Sequence, residues 1–178
     1  MSTRLVILGL LRDRAMHGYE IKHIIEDHMG DWTSIAFGSI YFALKKLAQE
    51  GLLEVTATEK PGNRPSRTVY RNTDEGRKEF DRLLRELWAT PERQFFAIDL
   101  GLFFMDALSE NEVREYLTGR VEGLRRTLDY LDAHRKEQLS NPHVPDRARW
   151  IFDHSRVHMS AELAWTEGLL AEITTNDD

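Results

Sequence analysis

The chain has 178 residues, 41% hydrophobic and 30% charged, with 24 Lys and Arg against 30 Asp and Glu, a formal net charge of -6 and no cysteine. That length allows one large or two small domains with a buried core, and the missing cysteine excludes disulfides and thiolate metal sites. No run reaches the about 18 apolar residues of a membrane helix and the first residues lack a cleavable leader pattern, so a cytoplasmic protein is expected.

In chain order, Leu5, Val6, Ile7, Leu8, Leu10 and Leu11 form a nearly all-apolar segment, expected as a buried first helix that ends at Arg12, Asp13 and Arg14. A second helix is expected over 17–28, with Ile21, Ile24, Ile25 and Met29 as its buried stripe and Gly30 closing it. The third helix, over 37–50, is the segment around which the rest is organised. Its Ile40, Ala43, Leu44, Leu47 and Ala48 recur at core-facing spacing, and Gly51 supplies the stop. The opposite arc carries Gly38, Phe42, Lys45 and Gln49, flanked by Ser39, Lys46 and Tyr41, with no acidic residue. A solvated helix ordinarily mixes Glu with its Lys in i, i+4 pairs, so this cationic, aromatic arc suits a polyanion.

Two helices joined by a short turn form a helix-turn-helix, whose second member lies in the major groove. After Gly51, Leu53, Val55 and Ala57 alternate with polar residues as a half-buried strand, and Arg67 to Arg71 reads as a second strand. Between them Lys60, Pro61, Gly62, Asn63, Arg64, Pro65 and Ser66 form a basic hairpin tip. It is either a solvated loop or, in this position, the wing of a winged helix that touches phosphates. Charge is uneven in the same sense: residues 1–72 carry ten cations against eight acids, and residues 73–178 carry fourteen against twenty-two. Local sign decides where phosphates dock. Thr73 then caps a helix whose first turn holds Asp74 and Glu75, with Phe80, Leu83, Leu84, Leu87 and Trp88 on its apolar side and an end near Pro91.

The order HGYEI (17–21), GSIYFALKKLAQEGLL (38–53), a basic hairpin and VYRNTDEGR (69–77) resembles the PadR family of bacterial transcriptional regulators. The resemblance covers about the first 90 residues. It implies a winged-helix domain binding double-stranded operator DNA as a homodimer, usually as a repressor released by a small molecule. By position it makes Ser39, Tyr41 and Lys45 recognition-helix contacts and residues 60–67 the wing. Phe42 departs from the family pattern, where proline is common; it either meets a thymine methyl or packs on Trp32. Asn72 departs too, standing where an apolar residue usually precedes the Thr, a change expected to touch only strand packing.

The C-terminal half begins with Phe95, Phe96, Ile98, Leu100, Leu102, Phe103, Phe104, Met105 and Leu108, apolar all round and expected as a helix buried on several sides. Ser109 and Glu112 fit a capping box, and Val113, Leu117, Val121, Leu124, Leu128 and Leu131 step nearly as a heptad seam to about Leu139. Asn141 to Pro145 breaks the helix. A last helix over 146–171 shows Ile151, His154, His158, Ala161, Trp165 and Leu169 on one side. These surplus apolar faces suit a dimerisation domain, and the alternative is an intramolecular antiparallel bundle. The aromatics Phe95, Phe96, Phe103, Trp150 and Trp165, with His154 and His158, are either the lining of a pocket for a small aromatic or hydrophobic effector or dimer core. His154 and His158 have the i, i+4 spacing of helix-borne metal ligands, but no HExxH frame surrounds them. No metal, cofactor or catalytic constellation is expected.

The expected architecture is mainly α. A winged helix-turn-helix of three helices and a two-stranded wing spans 1–90, and a long-helix dimerisation and effector domain spans 91–178. The expected DNA-binding residues are Ser39, Tyr41, Phe42, Lys45, Lys46, Lys60, Asn63, Arg64 and Arg67. The function is that of a sequence-specific regulator, most simply a repressor; the alternative is a winged-helix module that binds proteins instead of DNA.

Overall fold

The computed structural model describes residues 3–30, 33, 35–59, 67–91, 93–142 and 144–175, in two compact units, Met1–Arg93 and Gln94–Asp178. In the first unit the elements run α1 (Thr3–Leu10), β1 (Met16–His17), α2 (Gly18–Met29), α3 (Phe37–Gln49), β2 (Leu53–Glu59), β3 (Arg67–Asn72) and α4 (Asp74–Ala89). One core joins them, built from Ile7, Leu8, Leu11, Met16, Ile21, Ile25, Ile40, Leu44, Leu47 and Leu53. Helix α3 contributes Ile40, Leu44 and Leu47, all buried, whose burial stabilises the fold by roughly 5–9 kcal/mol gross. Packing of this stripe, more than helix propensity, holds so short a helix in place.

The end of α3 fixes the start of the sheet. Gly51 has φ +75°, its N–H donates to Ala48 O at 3.1 Å, and the Leu52 N–H donates to Leu47 O at 2.9 Å. This pair of bonds is a Schellman motif, and the left-handed residue it requires explains the glycine. Gly30 differs from expectation: at φ -58° it stays right-handed, and the Thr33 N–H and hydroxyl both donate to Met29 O.

The sheet has three strands in the order β1-β3-β2, not two. Met16 pairs antiparallel with Tyr70 and His17 with Val69, so the residues just before α2 form an edge strand that a two-residue segment could not signal by periodicity. Val55 and Ala57 are exposed, contrary to the alternation, and the β2–β3 register shifts between them. Only Leu53 reaches the core; the ribbon beyond it extends past the helices that would cover a second apolar position.

Asn72 does more than pack a strand. It is buried, and its Nδ2 donates to Leu8 O at 2.8 Å, tying β3 to the end of α1. Beside it the Thr73 hydroxyl donates to Gly51 O at 2.8 Å and accepts from Gly76 N at 3.1 Å, capping α4. Phe80, Leu83 and Leu84 are half-buried, but Leu87 is exposed and Trp88 is 84% exposed, because α4 runs on past α1. Arg4 bridges Glu50 and Glu79, and the Arg82 guanidinium bonded to Glu79 holds that carboxyl below the usual carboxylate range.

In the second unit, α5 (Ile98–Phe103) and a 3-10 turn (Met105–Ala107) precede α6 (Glu110–Ser140) and α7 (Ala148–Thr175). The expected helix buried on several sides is instead these two short pieces. Phe95 is 81% and Phe103 77% exposed, with Leu100 and Phe104 exposed beside them, since pieces this short bury little of their own apolar surface. The capping box is present: Glu112 Oε2 accepts from Ser109 N at 3.0 Å, and the Ser109 hydroxyl accepts from Glu112 N at 3.4 Å.

Helices α6 and α7 pack antiparallel, laced by Arg120–Glu162 at 2.5 Å, Arg125–Glu167 at 2.6 Å, Arg156–Asp132 at 3.0 Å and Arg135–Asp153 at 3.1 Å. Leu117, Val121 and Leu131 of the heptad-like seam are buried within this pair. These three meet their own chain, while Val113, Leu124 and Leu128 of the same seam stay half-buried. The face of α7 that docks carries Ile151, Phe152, Met159, Leu163, Thr166 and Leu170, whereas His154, His158, Ala161 and Trp165 of the expected stripe point outward. The docked face is the more apolar of the two, and the ion pairs run along its margin. Among the described residues no helix is long and apolar enough to cross a membrane.

Candidate nucleic-acid interface

With Ile40, Leu44 and Leu47 turned inward, the other side of α3 faces solvent. Phe42 is 69% exposed, and Lys45 and Lys46 are exposed with no carboxylate partner among the described residues. Ser39 Oγ donates to Ala36 O at 2.6 Å, so its hydroxyl secures the first turn of α3, which has no side-chain cap. Tyr41 is half in place by packing: its ring lies edge-on to Phe37 at 5.0 Å, and Lys22 Nζ sits 4.6 Å above that Phe37 ring.

The approach of α3 to α2 depends on Gly18. A Cβ there would lie 2.7 Å from Tyr41 Cε1 and 3.1 Å from Leu44 Cδ1, so a larger residue pushes the Tyr41 ring off its seat. Next to it, His17 caps α2: its Nδ1 accepts from Glu20 N at 3.0 Å. Arg67, at the base of the wing, places its guanidinium 5.8 Å from the Tyr19 ring centroid and its Nη1 3.4 Å from His17 Nε2. Tyr19 in turn stacks edge-on against His23 at 4.3 Å. The neighbouring Arg71 is already neutralised by Glu54 at 2.7 Å.

Of the nine residues expected to meet DNA, Ser39, Tyr41, Phe42, Lys45 and Lys46 lie together on α3, and Arg67 lies beside the start of α2. Lys60, Asn63 and Arg64 lie outside the described residues, as does Trp32, the alternative contact for Phe42. Sequence reasoning passed over His17, Gly18, Tyr19, Lys22 and Phe37. The signal for the first three was the HGY run at a helix start; Phe37 and Lys22 carry none, because their pairing exists only once α2 and α3 cross.

The residues expected to bind an effector are exposed: Trp150 by 63%, with Phe95, Phe96, Phe103 and Trp165 likewise open. The open groove between α6 and α7 is lined instead by Thr118, Val121, Glu122, Arg125, Glu167 and Leu170, with Ala171, Thr174 and Thr175. His154 and His158 touch, Nε2 to Nε2 at 3.2 Å, and among the described residues no three His, Cys, Asp or Glu side chains are grouped to hold a metal.

Known proteins share this arrangement. The PadR-like family of transcriptional regulators matches over residues 7–82. The Bacillus subtilis negative transcriptional regulator PadR is 26% identical over 173 residues, covering 94% of both chains. The crystal structure of Bacillus subtilis PadR in complex with operator DNA superposes with a TM-score of 0.79 at 26% identity, covering 96% of this chain and 98% of that one. The same protein in complex with p-coumaric acid gives 0.79 at 24% identity, again covering 96% and 98%. The match to the family spans α1 to α4 and the likeness of fold continues through α7, so this chain is similar along nearly its whole length to the PadR-like transcriptional regulators.

Proposed function

We propose that the protein is a homodimeric, sequence-specific DNA-binding regulator that represses transcription until a small molecule releases it. The observation that carries this reading is the solvent face of α3, where Tyr41, Phe42, Lys45 and Lys46 are exposed and the two lysines have no carboxylate partner among the described residues. Such a surface offers cations to phosphates and an aromatic edge to thymine methyls in the major groove. The operator-bound structure of Bacillus subtilis PadR and the repressor designation of that relative support the same assignment. In this reading residues 1–90 read DNA and residues 91–178 pair two copies and take the effector. The contacts are Ser39, Tyr41, Phe42, Lys45, Lys46 and Arg67, joined by the wing-tip residues Lys60, Asn63 and Arg64. The protein has no enzymatic role and works in the cytoplasm.

The dimer follows from what one chain leaves uncovered. Trp150, Val157 and Trp165 on α7, with Phe95 and Phe103, expose more large apolar side chains than an isolated chain ordinarily shows. A second copy is the fitting cover, since two winged helices reading half-sites about 34 Å apart need a two-fold partner. The effector site then forms from Phe95, Phe96, Phe103, Trp150, His154, His158 and Trp165 when such faces meet. A small aromatic acid is the first ligand to try, p-coumaric acid being held by the Bacillus subtilis relative.

Selection of tight-binding duplexes from a random pool tests the central claim. A shared, roughly palindromic sequence with steeply salt-dependent affinity is expected. Salt-insensitive binding with no enriched sequence would leave the basic face to an acidic protein partner. An aromatic acid that binds must do so with altered affinity when operator is present, by reciprocity.

A further inference from the structure

At the start of α2 and the base of the wing, His17 Nε2 and Arg67 Nη1 lie 3.4 Å apart, a contact whose donor and acceptor roles depend on the imidazole tautomer. In a neutral imidazole one nitrogen carries the proton and the other accepts. His17 Nδ1 accepts the Glu20 N–H at 3.0 Å, so the proton is on Nε2. Rotating the ring by half a turn would put carbon opposite Glu20 N, and protonating both nitrogens would set two N–H groups against each other there. The tautomer is therefore dictated by the helix cap. Nε2–H lies 3.4 Å from Arg67 Nη1, which is also a donor and nothing else.

Two donors at that separation do not bond each other; they bracket a third atom that accepts from both. An oxygen about 2.9 Å from each, an ordinary hydrogen-bond length, completes a triangle over the 3.4 Å base. The charge favours an anion. Arg67 has no carboxylate partner among the described residues, and Glu20, the acid nearest in sequence to His17, is engaged by Arg14 at 2.5 Å. The guanidinium is also held, lying over the Tyr19 ring at 5.8 Å, which itself rests against His23. An arginine fixed by packing has less conformational freedom to lose on binding.

We infer that His17 Nε2–H and Arg67 Nη1 together grip one backbone phosphate of the bound duplex, with Tyr19 positioning the guanidinium. The inference rests on the DNA-binding reading above and adds to it His17 as a ligand and Tyr19 as a positioning residue. It also joins wing and helix-turn-helix: β1 pairs with β3 at His17 and Val69, so one phosphate would be held from both motifs at once. Because the neutral imidazole donates, this contact needs no protonated histidine.

The test is duplex affinity and salt slope for the full-length protein on a short mixed-sequence duplex. His17→Asn places an amide oxygen where Nδ1 caps the helix but has no atom at Nε2. It should fold and melt as the parent does, yet bind about tenfold more weakly on any sequence, the usual loss for one hydrogen bond to a charged group. His17→Gln reaches the Nε2 position and should recover most of the affinity while losing helix-cap stability. Arg67→Ala should weaken binding and lower the salt slope by about 0.9. Because one phosphate is shared, the double variant His17→Asn with Arg67→Ala should lose less than the product of the two single losses. Independent, multiplicative losses, or parent-like affinity for His17→Asn, would overturn the shared grip.

The unaltered protein supplies a second check. Long-range proton–nitrogen spectra should show the Nε2–H tautomer of His17 and a shift of that resonance when duplex is added. An Nδ1–H tautomer would overturn the argument. So would millimolar inorganic phosphate moving the resonance as far as duplex does, since the site would then serve free anions. If the phosphate grip fails while Lys45→Ala still weakens binding, the regulator reading stands; if the parent shows no salt-dependent duplex binding, that reading itself falls.

Discussion

Replacing Gly76 by alanine should unseat the corner on which α3 and α4 both depend. A Cβ at position 76 would lie 2.1 Å from Leu52 O and 3.1 Å from Leu52 C, both backbone atoms. An ordinary carbon-to-oxygen approach is about 3.3 Å, so the strands and helix must part by about 1.2 Å. Leu52 O also accepts from Thr73 N at 3.1 Å and from the Thr73 hydroxyl at 3.1 Å, and both bonds stretch as the gap opens. Overpacking costs about 1–3 kcal/mol and the two weakened hydrogen bonds about 0.5–1.5 each, offset by up to about 1 for alanine's better helix propensity. The net loss is about 1–6 kcal/mol, centred near 3, which is a drop of roughly 12–24 °C in the melting temperature of a unit this size. Guanidinium unfolding followed by circular dichroism measures it, with Gly38→Ala as the control. Nothing lies within 4 Å of a Cβ at position 38, so that change should be neutral or stabilising. A Gly76→Ala protein that melts within a few degrees of the parent would show that the corner yields and that the reasoning from this close approach is wrong.

Lys45→Ala and Lys46→Ala should each weaken duplex binding and, where the residue meets a phosphate, lower the salt slope by about 0.9, as read by fluorescence anisotropy across salt concentrations; unchanged slopes for both would move the interface off α3. Trp165→Glu and Trp150→Glu should turn the dimer into a folded monomer in sedimentation, because both side chains are exposed on α7 while its other face stays packed on α6. Glu112 should make stability pH-dependent. The Ser109 hydroxyl and backbone hold its carboxyl below the usual carboxylate range, so its contribution is present above the unfolded value and lost as pH falls through the lower folded one. Comparing denaturation of the parent with Glu112→Gln should therefore show a gap at neutral pH that closes in acid; a gap independent of pH would refute the assignment.

Much of the first unit was legible because its signals are local. Ile40, Leu44 and Leu47 share a face through helix geometry alone, Gly51 marks a left-handed stop, and Thr73 with Asp74 and Glu75 announces a capped helix, all of which the structure contains. The acid-free arc of α3 was equally plain, since facing residues on one helix need no knowledge of the rest of the chain. What periodicity could not supply were contacts made across elements. The strand at Met16–His17 exists only because Tyr70 and Val69 arrive beside it, and Asn72 matters because the end of α1 presents Leu8 O to it. The facing of His17 and Arg67, fifty residues apart, belongs to the same class.

The second unit shows the limit most clearly. Sequence determined that two long helices form there and that they carry surplus apolar surface, but the stripe read from spacing, through His154, His158, Ala161 and Trp165, is not the one that docks. Tertiary packing decided: the stripe of Ile151, Met159, Leu163 and Thr166 docks on α6, where Glu162 and Glu167 meet Arg120 and Arg125, leaving Trp150, Val157 and Trp165 outside. Burial rewards apolar area, so the face with Ile151, Met159, Leu163 and Leu170 takes α6, and the exposed ion pairs along its margin, worth at most about 1 kcal/mol each, add to a contact that only the neighbouring helix defines.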